Sequence, residues 1–490
     1  LEKFKNLWFG DYSGLKEYNR DPEAFIKSFI DPDGFSMNSL RNSQNFVLIG
    51  RKGTGKSSCC LSLSHAKRLK GYNTTFYNFS EEVGRSELKE AVHTQNIDLK
   101  SIDTTKLFES ILEAYDFRDM WKRKVLHRIA LDLPGSSTFK SWVTSIDLSE
   151  NGIADGLERG LNLPLPEPAK SILGTVWHGA NKIKANSKIS LKDFVSIGFD
   201  LLFQCHPDVR HYFFFDELNL SHSKSKTDEY NTYLALIYDI VRATDELNDL
   251  FVRKKVDVHV ICSLRPEIRN AIIRRDSEMQ KVIESCHVNL SWPSREGVDN
   301  PLMTLLRKKM ENSGYGEDFL QALPEEVYSL VAKKKIEFHK FFLNITWYRP
   351  RDVIRILKTY QTTNGGQTIL FNKGDDQVRF LKEYSRISIQ DISAELEVKY
   401  SRSEIDRVTS LIRQPNYENA DDLKDSFAVL ERKFDLDELL KDLFEAGVIF
   451  NYEVINGHPR VFASYRDDAN LIPDMGITIH RGLQQSLGIF

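Results

Sequence analysis

Short apolar runs separated by helix-length amphipathic stretches set the pattern of this chain. Phe46-Val-Leu-Ile49 reads as a buried strand, with a helix-compatible stretch at 58–69 behind it. Residues 73–79, 209–218, 256–262 and 287–292 read as four further strands. Helical periodicity fills about 233–253 and 266–283, and 221–231 reads as a polar loop. Strands alternating with helices predict a parallel sheet covered on both faces. From about 81 to 207 helical patterns dominate, 106–115 among them, interrupted at Asn162-Leu-Pro-Leu-Pro-Glu-Pro168, whose prolines predict a loop. That stretch is expected to be a helical insertion into an α/β core.

Beyond Pro301 the pattern is mostly helical, through 332–342 and 351–360. Residues 435–445 are amphipathic and stop at Gly447, a suitable C-cap. Strands at 448–454 and 461–465 flank Asn456-Gly457, a strong hairpin signal. A helix followed by a hairpin, closed by 479–487, predicts a winged-helix-like domain, with the last ~110 residues forming a separate unit. Residues 1–45, aromatic-rich and broken by Asp-Pro steps, read as an arm packed beside the phosphate-binding site. The expected division is an arm at 1–45, a core at 46–295 with its insertion, a helical lid at 296–372, and a linker plus winged helix at 373–490.

At 490 residues the chain is too long for one ordinary core. It begins at Leu1 rather than Met, so residues upstream are expected to be missing. With 67 basic and 70 acidic residues, no global charge favours nucleic acid or membrane. Cys59, Cys60, Cys205, Cys262 and Cys286 show no metal-ligand spacing and are expected to be free thiols in a reducing, cytoplasmic setting. No apolar run approaches the ~18 residues of a membrane span, and no signal peptide is visible.

The first strand runs into Gly50-Arg-Lys-Gly-Thr-Gly55-Lys56-Ser57, a phosphate-binding loop between strand and helix. Gly50, Gly53 and Gly55 let the backbone curl, so that N–H groups from Gly50 through Arg51, Lys52, Thr54 and Ser58 can cradle phosphates. Lys56 is placed to reach the β/γ-phosphates, and Ser57 to coordinate Mg²⁺. The bland alternative is a glycine turn. Tyr212-Phe-Phe-Phe-Asp216-Glu217 ends a doubly buried strand in two carboxylates at its C-terminal edge. Asp216 is the candidate for the Mg²⁺ shell and Glu217 for the general base, against a plain strand end. The 160-residue spacing from Lys56 to Asp216 is long, and the insertion accounts for it.

Three further sets of residues are candidates with weaker signals. Ser263 and Arg265 follow the fourth strand, where a polar side chain could meet a γ-phosphate; the alternative is a strand end before a Pro266-initiated helix. Arg274 and Arg275, with Arg269 on the same helix, are candidates for an arginine finger or a solvated basic face. In Thr346-Trp-Tyr-Arg-Pro-Arg-Asp-Val-Ile-Arg355, Pro350 opens a helix and Arg351 sits in its first turn, placed for a nucleotide sensor or an ion pair with Asp352. Asp132-Leu-Pro-Gly135 and Asn372-Lys-Gly-Asp375 match GTPase motifs formally, but neither stands in the required strand context.

In this order the motifs resemble the AAA+ and STAND-type P-loop ATPases from Phe46 to about Tyr360. The Tyr348-Arg-Pro-Arg-Asp352 phrase and the tail look more like stand-alone bacterial P-loop ATPases of mobile or antiviral-defence loci. The chain departs from the AAA+ pattern in its large insertion and in lacking a clear sensor asparagine. The resemblance implies an α/β P-loop NTPase core binding ATP and Mg²⁺, and a switch that controls a protein partner within a homo- or hetero-oligomer. Residues 421–490 carry 7 Lys/Arg against 13 Asp/Glu, which favours a protein over DNA as the tail's partner. A DNA-binding initiator or loader ATPase, and a nucleotide-cemented scaffold with little turnover, are the alternatives. The tail histidines His458 and His480 are expected to be surface or core residues rather than ligands.

Overall fold

Five strands make one wholly parallel sheet in the order β2-β3-β4-β1-β5. They are β1 (Val47–Ile49), β2 (Asn73–Asn78), β3 (Arg210–Leu218), β4 (Asp257–Leu264) and β5 (His287–Asn289). This is an α/β core of P-loop NTPase type, with the strand that enters the glycine loop lying between β4 and the edge strand β5. A computed structural model describes residues 4–32, 37–41, 44–79, 117–144, 163–164, 188–189, 191–218, 228–293, 297–315, 323–329, 334–364, 371, 374–397, 399–455, 458–464 and 470–489. The chain forms two compact units, one of residues 36–51 and 59–289, the other of 1–35, 52–58 and 290–490.

In the first unit, β3 lies between β2 and β4 and carries an unbroken apolar run because both of its faces are covered. Tyr212, Phe213, Phe214 and Phe215 are all buried. Phe214 stacks on Phe76 at 4.6 Å, and Trp121 meets Phe215 edge-on at 5.8 Å. Helix α1 (Lys56–Arg68) follows the loop after β1, and α2 (Asp228–Lys254) leads into β4. The Asn248 side chain of α2 exchanges two hydrogen bonds with the Val260 backbone, at 3.0 and 2.7 Å, which fixes helix against strand. Cys59, Cys60, Cys262 and Cys286 are buried free thiols, and Cys205 is half-buried.

Several local expectations change. The single helix expected over 266–283 is two, α3 (Pro266–Arg275) and α4 (Glu278–Cys286). Asp276 leaves the helical backbone at φ −144°, and its carboxylate accepts the Glu278 N–H (2.9 Å) and the Tyr238 hydroxyl. Its own side chain therefore ends one helix and starts the next. Helix α2 begins at Asp228, within the stretch expected to be loop. Inside the expected 162–168 loop, Leu163–Pro164 pairs antiparallel with Lys188–Ile189. The helical pattern at 106–115 falls outside the described residues.

In the second unit, residues 332–342 are not one helix. Lys334–Glu337 pairs antiparallel with Glu326–Ser329, and the helix starts only at Phe338. An apolar cluster runs through this unit from Phe4 and Phe9 past Leu306, Phe342 and Tyr360 to Tyr384, Leu440 and Ile479. It gathers α5 (Pro301–Met310), α6 (Pro350–Asn364), α7 (Gly374–Leu396), α8 (Leu436–Glu445) and α9 (Arg481–Leu487). Gln361 of α6 ties down the N-terminal segment by donating to the carbonyls of Phe4, Lys5 and Leu7. The tail sheet has the order β6-β9-β7-β8, from β6 (Asn416–Tyr417), β7 (Ile449–Ile455), β8 (His458–Phe462) and β9 (Gly476–Ile479). The hairpin β7–β8 starts its second strand three residues earlier than read from the sequence, and β9 is an addition. His480 is buried, stacked on Trp347 at 3.8 Å.

One buried titratable group gives this fold a pH dependence. His211 of β3 is fully buried, with Nε2 3.0 Å from the Thr75 hydroxyl, and burial pushes its pKa down to about 4. The unfolded chain takes that proton near pH 6.5, so the folded state loses stability as pH falls from about 6.5 towards 4. We expect a loss of about 2 kcal/mol from this residue between pH 7.5 and pH 5. Denaturant titrations at both pH values should show it, with a shallower dependence in His211→Gln; an identical dependence in the variant would refute the assignment.

Candidate functional site

The glycine loop begins as an extension of the sheet. The Gly50 N–H donates to Leu264 O at 3.1 Å, continuing the β1–β4 ladder by one residue. The chain then curls and starts α1 at Lys56. Gly53 has φ +84°, a conformation that favours glycine, and a Cβ there would lie 3.1 Å from the Arg351 Cβ, close enough that Arg351 would have to shift. Gly14 of the N-terminal segment approaches as closely, since a Cβ on it would come within 2.5 Å of the Ser58 hydroxyl.

Three donors from elsewhere in the same unit reach the loop backbone. Arg349 Nη1 donates to Lys52 O at 3.3 Å, the Arg351 N–H to Gly53 O at 3.3 Å, and Trp292 Nε1 to Thr54 O at 2.8 Å. Lys52 itself turns to a carboxylate, with Nζ 2.9 Å from Asp391 Oδ1 on α7.

The charges behind this loop are unevenly matched. Asp352, fully buried, accepts Arg349 through Nε and Nη2, both at 3.1 Å, and also Arg355 Nη1 at 3.1 Å and the Trp347 N–H at 2.9 Å. Asp391 accepts Arg355 Nη2 at 2.7 Å as well as Lys52. Glu395 lies 3.7 Å from Arg349. Burial alone would raise the Asp391 pKa, but Arg355, Lys52 and Arg349 outweigh it and hold the carboxyl well below its usual range. Arg349 and Arg355 are thus consumed by carboxylates. Arg351 is not: its Nε is buried without a hydrogen-bond partner among the described residues. Burial lowers its pKa, and the neighbouring Arg349 and Arg355 add to that against Asp391.

In the other unit, the C-terminal edge of the sheet carries the carboxylate pair. Asp216 is buried and Glu217 exposed. The register shifts between Phe215 and Leu218, so Asp216 and Glu217 together stand opposite the single residue Ser263. This is a β-bulge, and Glu217 adopts φ +55° within it. A left-handed non-glycine residue costs about 1–3 kcal/mol and persists only where its surroundings impose it. The Ser263 hydroxyl donates to Asp216 Oδ1. Arg265 sits at the start of α3, 3.6 Å from Glu267. Arg274 is exposed, whereas Arg275 lies over the Tyr230 ring at 5.8 Å.

The structure therefore brings Asp216 together with Ser263, and Arg351 together with the loop at Gly53. Arg265 and Arg275 stand with other partners, and Arg274 is exposed. Sequence reasoning did not single out Arg349, Trp292, Asp391 or the double use of Asp352. The spacing Arg349-x-x-Asp352-x-x-Arg355 was a visible sign of a helical ion-pair series. Nothing local marks Trp292 or Asp391.

No protein-family model matches this chain. No curated protein matches it either. Among solved structures it is similar to one described as the Walker-type ATPase PABY2304 of Pyrococcus abyssi, at 13% identity over 94% of this chain and 98% of that one, with a TM-score of 0.37. The class, an α/β P-loop NTPase fold, rests on the parallel sheet and on the glycine loop between β1 and α1. No helix among the described residues is long and apolar enough to cross a membrane.

Because Asp352 is shared by two buried arginines, its loss leaves both without their main acceptor. Asp352→Asn should destabilise the fold by about 3–5 kcal/mol, the usual effect of breaking a buried ion pair from one side. Asp391→Asn should cost less, because that carboxylate keeps some solvent contact. Denaturant unfolding of the two variants side by side checks the ranking, and an Asp391→Asn loss equal to or larger than that of Asp352→Asn contradicts it.

Proposed function

We propose that this chain is a Mg²⁺-dependent ATPase whose nucleotide state switches its conformation or assembly and so controls a protein partner. The observation that carries the reading is the charge imbalance at the loop: Lys52, Arg349 and Arg355 each face a carboxylate among Asp352, Asp391 and Glu395, while among the described residues none stands within ion-pair distance of Arg351 beside Gly53. A phosphate would supply the missing negative charge. The loop amides and the N-terminus of α1 add donors suited to the same anion.

In this reading Lys56 neutralises the β- and γ-phosphates, and the loop from Gly50 to Ser58 binds them through its backbone. Ser57 and Asp216 offer the hard oxygen donors that suit Mg²⁺, which would draw charge from the phosphate oxygens. Asp216 is held for this by Ser263, so Ser263 acts through Asp216 as well as through any direct phosphate contact. Glu217, exposed and turned by the bulge, takes the proton from the attacking water. Arg351 reports phosphate to α6, and Arg274 and Arg275 remain candidates for a finger reaching a second subunit.

We assign the output to the tail, keeping the division into arm, core, lid and winged-helix-like domain as its functional organisation. Asp435, Asp437, Glu438 and Glu445 of the α8 region are exposed. Asp437 and Glu438 pair with Lys424 and Lys399, so it is the excess of 13 Asp/Glu over 7 Lys/Arg across 421–490 that disfavours nucleic-acid phosphates and favours a basic protein surface. An effector encoded with the chain in a defence locus is the partner class that the family resemblance suggests.

Nucleotide titration and phosphate release test the reading. Lys56→Ala should abolish ATP binding. Glu217→Gln should bind ATP as the wild type does and release phosphate roughly a hundredfold or more slowly, the scale of a lost general base. Wild-type protein that neither binds ATP nor releases phosphate sinks the ATPase assignment, and turnover undiminished in Glu217→Gln removes Glu217 from it.

A further inference from the structure

A trans peptide is planar, with its carbonyl and the following N–H on opposite sides. Whatever fixes the carbonyl therefore fixes the direction of the next amide. In the glycine loop three consecutive carbonyls are held from outside: Lys52 O by Arg349, Gly53 O by the Arg351 N–H and Thr54 O by Trp292. The amides of Gly53, Thr54 and Gly55 are thereby turned away from these donors. Among the described residues the Gly53 and Gly55 amides donate to no protein acceptor. Successive amides turned to one side form an anion-binding concavity.

The donors are themselves rigid. Arg349 is locked by the two-point contact with Asp352, and Trp292 is buried in the apolar cluster of its unit. A glycine-rich loop without such supports would lose conformational freedom on meeting its ligand, and affinity would fall accordingly.

We propose that Trp292 and Arg349 are positioning residues for nucleotide phosphates, holding the loop carbonyls so that its amides are aimed before any ligand arrives. This rests on the nucleotide reading above. The Trp292 indole N–H is the cleaner test because it carries no charge and serves one loop carbonyl.

Calorimetric titration of the full chain with ATP and ADP, paired with steady-state phosphate release, tests the proposal. Trp292→Phe keeps an aromatic ring and removes the donor; it should bind both nucleotides roughly three- to tenfold more weakly, the scale of one lost hydrogen bond. KM should rise with kcat little changed, because bound substrate and transition state lose the same support. Trp142→Phe is the control for a lost buried indole donor: Trp142 Nε1 donates to Phe194 O at 3.1 Å in the other unit, and its removal should leave affinity unchanged.

Wild-type affinity in Trp292→Phe overturns the proposal, as does an equal weakening in both variants, which would mean general softening. Should Trp292→Phe fail to fold, benzothienylalanine at position 292 replaces the N–H by sulfur at nearly constant volume, with the same two outcomes. A wild-type chain that binds no nucleotide would instead remove the reading on which this inference rests.

Discussion

Glycine at positions 50, 53 and 55 leaves the loop backbone free to take many shapes, and contacts from outside restrict it. Here the supports come from residues distant in sequence: Trp292, Arg349 and Arg351 all reach the backbone of Lys52 to Thr54. Gly53, whose φ of +84° lets the loop curl, also leaves space for Arg351, since a Cβ there would lie 3.1 Å from the Arg351 Cβ. Loop flexibility and external support are therefore one requirement seen from two sides.

Those supports depend in turn on buried charge. Arg349 can reach a loop carbonyl with one nitrogen because its other donors are fixed by Asp352, which also accepts Arg355 and the Trp347 N–H. Burying so many charges is unfavourable unless each finds a partner. In the cluster Lys52, Arg349 and Arg355 each face a carboxylate, whereas none is within ion-pair distance of Arg351 among the described residues; Arg355 Nε, like Arg351 Nε, is buried without a hydrogen-bond partner there.

Much of this was readable without coordinates, and the division follows range. All five strands of the sheet were legible as short strand-like segments, and the glycine loop as a contiguous motif, because both are written within a few consecutive residues. Errors arose where a single side chain overrode local pattern: Asp276 divides 266–283 by capping its own break, and Lys334–Glu337 becomes a strand by pairing with Glu326–Ser329. Periodicity does not register either event. Arg351 was visible through its place after Pro350, whereas Trp292 and Asp391 contact the loop across 238 and 339 positions of sequence and carry no local sign.

The carboxylate pair shows how one extra residue can separate two chemically similar neighbours. In a regular strand Asp216 and Glu217 would simply alternate, one on each face. The bulge places both opposite Ser263 and gives Glu217 a left-handed backbone. Asp216 stays buried and is held by the Ser263 hydroxyl, while Glu217 is delivered to the surface at the edge of the sheet. A fixed, shielded carboxylate suits a cation that demands defined geometry, and a solvated one suits exchange of protons with water. The left-handed backbone at Glu217 is then the physical cost of giving two adjacent acids different exposure at one end of the strand.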